Sequence, residues 1–171
     1  MPQPGELALW RLPVHRSVVA VFGEEPKTMP VGWQGAEPRS HGSVGFRSET
    51  LDGQSRSVLA IHPPWYDGLV GTLAVEFPLQ LPKTTPLRLS FATAMSPPGE
   101  SDGVTFRVRV LPLDAPEGEL GEVVFERHVD AKTWQAAEAD LSRFAGRHVR
   151  LQLESHPGAK NNTGWDQSYW A

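Results

Sequence analysis

From Gly42 onward, apolar and polar residues alternate in short runs separated by turn signals. Leu73/Val75/Phe77, Leu87/Leu89/Phe91 and Val104/Phe106/Val108/Val110 put every second side chain on one face, the period of a strand rather than a helix. The pattern predicts strands over 43–49, 55–62, 69–79, 87–95, 103–111, 122–129, 133–141 and 148–155. Asp52-Gly53, Asp67-Gly68, Pro97-Pro98-Gly99, Asp102-Gly103 and Pro116-Glu117-Gly118 punctuate them. In the last strand Val149, Leu151 and Leu153 alternate with Arg150, Gln152 and Glu154, which predicts one face in a core and the other in water.

One short helical turn precedes that strand. Asp140 or Ser142 caps it, Leu141 and Phe144 are its apolar members, and Gly146 ends it. Upstream, Leu7, Leu9 and Leu12 alternate with polar or small residues, and 17–22 (SVVAVF) is a β-branched run, so two early strands are expected. The intervening segment, 23–42, holds Pro26, Pro30, Pro38 and four glycines, and reads as an irregular surface loop or tether. Trp33 in its middle either pins that loop to the rest or offers a binding platform.

Many short strands, a single helical turn and one-sided amphipathicity predict an all-β, antiparallel, two-sheet jelly-roll sandwich, since each sheet hides its apolar face only against another sheet. Phe91, Phe106, Val108, Phe125 and Leu151 are the inward members expected to meet in its core. The division expected is 1–41, N-terminal strands and a Pro/Gly-rich loop packed on or tethered to the sandwich, and 42–171, the sandwich itself.

Composition narrows the classes. Sixteen glycines and sixteen prolines, dispersed, suit punctuation between strands. The absence of cysteine excludes disulfides and thiolate metal sites. The net charge of −4 is spread without runs, so no clustered basic face points to nucleic acid. Arg107 and Arg109 share a strand face, read as solvated. No apolar run approaches the roughly 18 residues of a membrane helix, and no basic-then-apolar leader is present.

Motifs of catalysis are missing: no G-x-S-x-G, no H-E-x-x-H and no Gly-rich phosphate loop. The six histidines show no i, i+2 or i, i+4 pair, which argues against zinc. Glu138 and Asp140 share a strand face as solvated carboxylates or as an acid/base pair. Asn161, Asn162 and Asp166, joined by Asp102, offer the hard oxygens that calcium prefers, or else Asn161 and Asn162 simply form a turn. Trp65 and Tyr66 follow two prolines and precede Asp67 in HPPWYDG, a stiff loop pairing apolar rings with a carboxylate, as saccharides require; His62 is an adjacent polar contact or a locally bonded side chain. Trp10, Trp134, Trp165 and Trp170 lie in or beside strands and are expected in the core or at sheet edges.

LAIHPPW at 59–65, SDGVTFRVRV at 101–110, ADLSRFAGRHVRLQLE at 139–154 and NNTGWDQSYWA at 161–171 together resemble the galactose-binding-like jelly rolls of the NPCBM type, carbohydrate-binding modules appended to bacterial glycosidases. The resemblance covers residues 42–171. It implies a non-catalytic module that binds a glycan, sometimes with a structural calcium, within a larger extracellular, periplasmic or envelope protein, and implies neither nucleic-acid nor membrane partners. The family's last strand runs on past Trp170-Ala171, which suggests a longer parent. A structural or protein-interaction sandwich and a small polysaccharide-active enzyme stand as alternatives.

Overall fold

The computed structural model describes residues 8, 9, 12 and 14–171. Twelve strands occur among them: β1 (Arg16–Val21), β2 (Lys27–Thr28), β3 (Gly35–Ala36), β4 (Ser43–Leu51), β5 (Gln54–His62), β6 (Gly71–Gln80), β7 (Arg88–Met95), β8 (Val104–Pro112), β9 (Glu122–Val129), β10 (Gln135–Asp140), β11 (His148–His156) and β12 (Ser168–Trp170). They form two antiparallel six-stranded sheets, ordered β2-β1-β6-β11-β8-β9 and β10-β7-β12-β5-β4-β3. From β5 the chain crosses repeatedly between sheets, the winding of a jelly roll.

The strands expected from alternation are present, most with ends shifted by one or two residues. The 23–42 segment is more regular than its prolines suggest, because β2 pairs with β1 and β3 with β4. β1 lies inside the first sheet, between β2 and β6, and β3 ends the second, so β1, β2 and β3 belong to the sandwich. Of the earliest expected strand, Leu7, Trp10 and Arg11 lie outside the described residues. Leu12 donates its N–H to the Leu9 carbonyl at 3.0 Å, turn rather than strand geometry. The helical turn is the 3-10 turn Ser142–Phe144, with Asp140 Oδ1 accepting the Ser142 N–H at 2.9 Å and Gly146 left-handed at φ 76°.

Between the sheets Phe77, Phe106, Leu151, Ile61, Leu73, Met95 and Trp170 are fully buried. Phe106 and Trp170 meet edge to face at 5.1 Å. Phe91 and Phe125 touch at 5.0 Å but are half-buried at the rim rather than enclosed, since Phe125 lies on the edge strand β9 and Phe91 on β7, beside the edge strand β10. The outer face of the second sheet carries a smaller cluster, Leu51, Val58, Ala60, Ala94 and Tyr169, flanked by Trp134. The Arg47 and Arg56 guanidiniums lie 5.5 and 5.4 Å over the Tyr169 and Trp134 rings, so those faces are occupied.

The largest departure concerns β11. Its expected water-facing set is buried: Arg150 is 7% exposed and Gln152 and Glu154 are 0%. For Arg150 and Gln152 the reason is the 113–121 loop, which folds back over the outer face of the first sheet. Arg150 donates to the Ala115 and Pro116 carbonyls, Gln152 Nε2 to the Glu119 carbonyl at 3.0 Å, and the Gly121 N–H to Gln152 Oε1 at 2.9 Å. Arg150 and Gln152 also reach Glu76, at 3.3 and 3.0 Å. Arg107 and Arg109, read as a solvated pair, both donate to Glu154. Buried charge is retained because it is paired and hydrogen-bonded.

Candidate functional site

One end of the sandwich gathers the loops that follow β5 and precede β12. Ser168 pairs with Ile61, so the two loops leave neighbouring strands at the same end. After His62, Pro63 and Pro64 are buried and supply no N–H, so the chain leaves the sheet. Its next two donors, the Trp65 and Tyr66 N–H groups, both bond the Ser40 carbonyl at 3.0 Å. A 3-10 turn over Tyr66–Gly68 follows, with Asp67 and Gly68 at positive φ and the Leu69 N–H closing onto the Tyr66 carbonyl.

Trp65 and Tyr66 are therefore held by their backbone while the two residues stay 45% and 46% exposed. His41, itself left-handed at φ 58°, stacks on Tyr66 at 3.9 Å and 14°, and meets Trp65 edge-on at 5.5 Å. Trp65 and Tyr66 stand at 89° to each other, 5.8 Å apart, and His62 lies 5.8 Å from Trp65. The result is four rings in contact, two of them on residues that are nearly half-exposed, with the exposed Asp67 on the same turn.

The turn that carries Ser40 is built on a buried carboxylate. Glu37 accepts from the Ser40 N–H and hydroxyl, each at 2.7 Å, from the Arg39 N–H at 3.3 Å and from Lys27 Nζ at 3.2 Å. Burial would raise its pKa, but the Ser40, Arg39 and Lys27 bonds outweigh that and lower it to about 2. A carboxylate depressed in the folded state stabilises fully above its unfolded pKa, and that contribution disappears as pH falls from about 4.5 toward 2. The melting temperature of the wild type is therefore expected to drop more steeply across that window than that of Glu37→Gln, and parallel thermal-melt profiles would show that Glu37 holds nothing.

The second loop carries Trp165 and Asp166. Asp166 is fully buried and accepts a bond from the Ser101 hydroxyl on Oδ1; its Oδ2 and Asp102 Oδ1 are buried without a hydrogen-bond partner among the described residues. Burial first, with Asp102 adding to it and Ser101 opposing, raises the Asp166 pKa to about 7. Asn161 and Asn162 are exposed, and Asn162 Oδ1 accepts the Gly164 N–H at 3.1 Å, the geometry of a turn. Among the described residues no three His, Asp or Glu side chains gather at metal-binding distance.

Of the residues singled out, Trp65, Tyr66, Asp67 and His62 come together. His62 Nδ1 lies 2.8 Å from the Pro63 carbonyl, the local bond weighed for it, and burial lowers its pKa. Trp33 does not join them: it packs half-buried on the core, and its neighbour Gln34 accepts the Phe46 N–H, beside the middle of β4. Glu138 pairs with Arg88 at 3.3 Å and Asp140 caps Ser142, so both carboxylates are engaged in structure. Among the tryptophans placed in core or edge, Trp170 is buried and Trp134 half-buried, but Trp165 is 64% exposed at φ 62°, a correction. Trp10 lies outside the described residues. Sequence pattern does not single out His41, because 23 residues, including the β4–β5 pair, separate it from Trp65 in the chain, although Ser-His-Gly at 40–42 carries turn character.

No protein-family model matches the chain. Over 93 residues it is 37% identical to an uncharacterized protein of Archaeoglobus fulgidus, a match covering 48% of this chain and 22% of that one. The chain thus spans about a fifth of that relative's length. Among solved structures it is similar to a xylan-binding domain from CBM 22, with 12% identity, TM-score 0.47 and 81% of each chain covered. It is similar also to the C-terminal family 22 carbohydrate binding module of Clostridium thermocellum Xyn10B, with 11% identity, the same TM-score and the same coverage.

Proposed function

We propose that this chain is a non-catalytic carbohydrate-binding module, part of a larger extracellular or envelope protein, which holds a sugar against Trp65 and Tyr66. The observation that carries the reading is two aromatic residues, nearly half-exposed, whose backbone N–H groups are both fixed on the Ser40 carbonyl and whose rings pack on His41. Sugars present apolar C–H faces and rims of hydroxyls. A stiff aromatic face beside the Asp67 carboxylate matches both without paying to order a loop on binding. The outer face of the second sheet is a poorer platform, since Tyr169 is 3% exposed and its ring is covered by Arg47.

The test is tryptophan fluorescence titrated with xylan and with mixed plant and bacterial polysaccharides. Trp65→Ala is expected to fold, because the ring is largely outside the core, and to lose about tenfold or more in affinity. Equal binding by both proteins would place the sugar elsewhere, and no binding by the wild type would end the reading.

The module is also proposed to hold a structural calcium ion at the base of this end. The residues fit in part: Asp102 and Asp166 each present a buried carboxylate oxygen without a partner, the hard ligand that calcium takes. Asn161 and Asn162 are engaged or exposed at the turn, so backbone carbonyls would complete the set. Calcium at a hundred times its dissociation constant stabilises by about 2.7 kcal/mol. Addition of calcium is expected to raise the melting temperature and chelator to reverse it; identical melts would leave Asp166 as a buried neutral acid.

A further inference from the structure

Trp165 is the most exposed large apolar residue among those described, at 64%, and its backbone is left-handed at φ 62°. Both conditions cost free energy. A bulky L-residue in that region crowds its own Cβ against the backbone, and an indole left in water forgoes the gain of burial. Such a conformation persists only where the surroundings enforce it.

Here they do. The next residue, Asp166, is fully buried on Ser101, and β12 begins two residues on, paired on both sides with Ile61 and Met95. On the other side the Trp165 backbone and Cβ rest on Gly99, where an added Cβ would stand 2.8 Å from Trp165 Cβ and 3.2 Å from its carbonyl oxygen. Lys132 Nζ in turn fixes Gly99 by donating to its carbonyl at 2.6 Å. The ring is thus presented, like Trp65, by a rigid frame at the same end of the sandwich, yet on a different loop.

We infer that Trp165 is a second stacking platform, and that the site takes the interior of an extended glycan chain rather than a terminal sugar. The inference rests on the carbohydrate reading of Trp65 and Tyr66. Two held rings on neighbouring loops address different units of one chain, so affinity should grow with length until both are covered, as linked contacts add without a second association cost. A lone platform gives no such growth.

The experiment compares β-1,4-linked gluco-, xylo- and manno-oligosaccharides from disaccharide to hexasaccharide, by calorimetry, on the wild type, Trp65→Ala, Trp165→Ala and Trp165→Phe. Expected is a length-dependent gain in the wild type. Trp165→Ala should lose about tenfold on the hexasaccharide and little on the disaccharide, with Trp165→Phe largely restoring it. Gly99→Ala, which pushes the ring aside without removing it, should mimic Trp165→Ala. Length-independent binding, or Trp165→Ala equal to the wild type on every length while Trp65→Ala fails, overturns the second platform and leaves the module reading intact. No binding of any oligosaccharide or polysaccharide by the wild type overturns both. Self-association abolished by Trp165→Ala, without any glycan effect, overturns it in favour of a contact between copies of the chain.

Discussion

Glu154→Ala is expected to destabilise the protein by about 3–5 kcal/mol, the range for removing one partner from a buried charge cluster. Glu154 is 0% exposed and accepts from Arg107 at 3.0 Å, from Arg109 and from the Thr72 hydroxyl at 3.1 Å. Its loss leaves two guanidiniums, each under a fifth exposed, facing one another across an emptied site. Arg107 keeps Glu126 and Arg109 keeps the Gly121 carbonyl, which places the expectation toward the lower end of the range. Replacing Arg107, Arg109 and Glu154 together by apolar residues of similar volume should cost far less, because no uncompensated buried charge then remains and Glu126, half-exposed, is left to water. Urea unfolding of the two variants decides the matter. A single variant within about 0.5 kcal/mol of the wild type, the usual span of a surface substitution, would mean that this face of β11 is in water after all.

Phe106→Ala is expected to cost about 3–5 kcal/mol through lost burial and the cavity left behind. The ring is fully buried, and its edge-to-face partner Trp170 belongs to the opposite sheet, so the contact joins the two halves of the sandwich. Phe91 continues the line at 5.3 Å from Trp170, and Phe125 follows at 5.0 Å. Because Phe91 and Phe125 are only half-buried, alanine at either should cost less than at Phe106, and this gradient from centre to rim is the check. Equal losses at all three positions in chemical denaturation would contradict the rim placement.

The all-β class and the identity of the inner face are local properties. Alternation at a period of two, cut by Asp-Gly and Pro-Gly turns, leaves no other way to hide Val104, Phe106, Val108 and Val110, and each proves buried. The exposure of Trp65 and Tyr66 was legible for the same kind of reason, since a Pro-Pro pair forbids a strand interior and frees the residues after it. What the chain alone left undecided depends on segments distant in sequence meeting in space. Arg150, Gln152 and Glu154 alternate like any solvated face, and only the return of the 113–121 loop over Arg150 and Gln152, with Arg107 and Arg109 closing on Glu154, makes that face an interior. His41 joins Tyr66 because Glu37 folds the turn carrying Ser40. Trp165, expected in the core or at a sheet edge because it lies beside a strand, is turned outward by a left-handed backbone that Asp166 and Gly99 impose on it. Periodicity reports which side of a strand a residue takes; whether that side meets water is settled by what the rest of the chain lays over it.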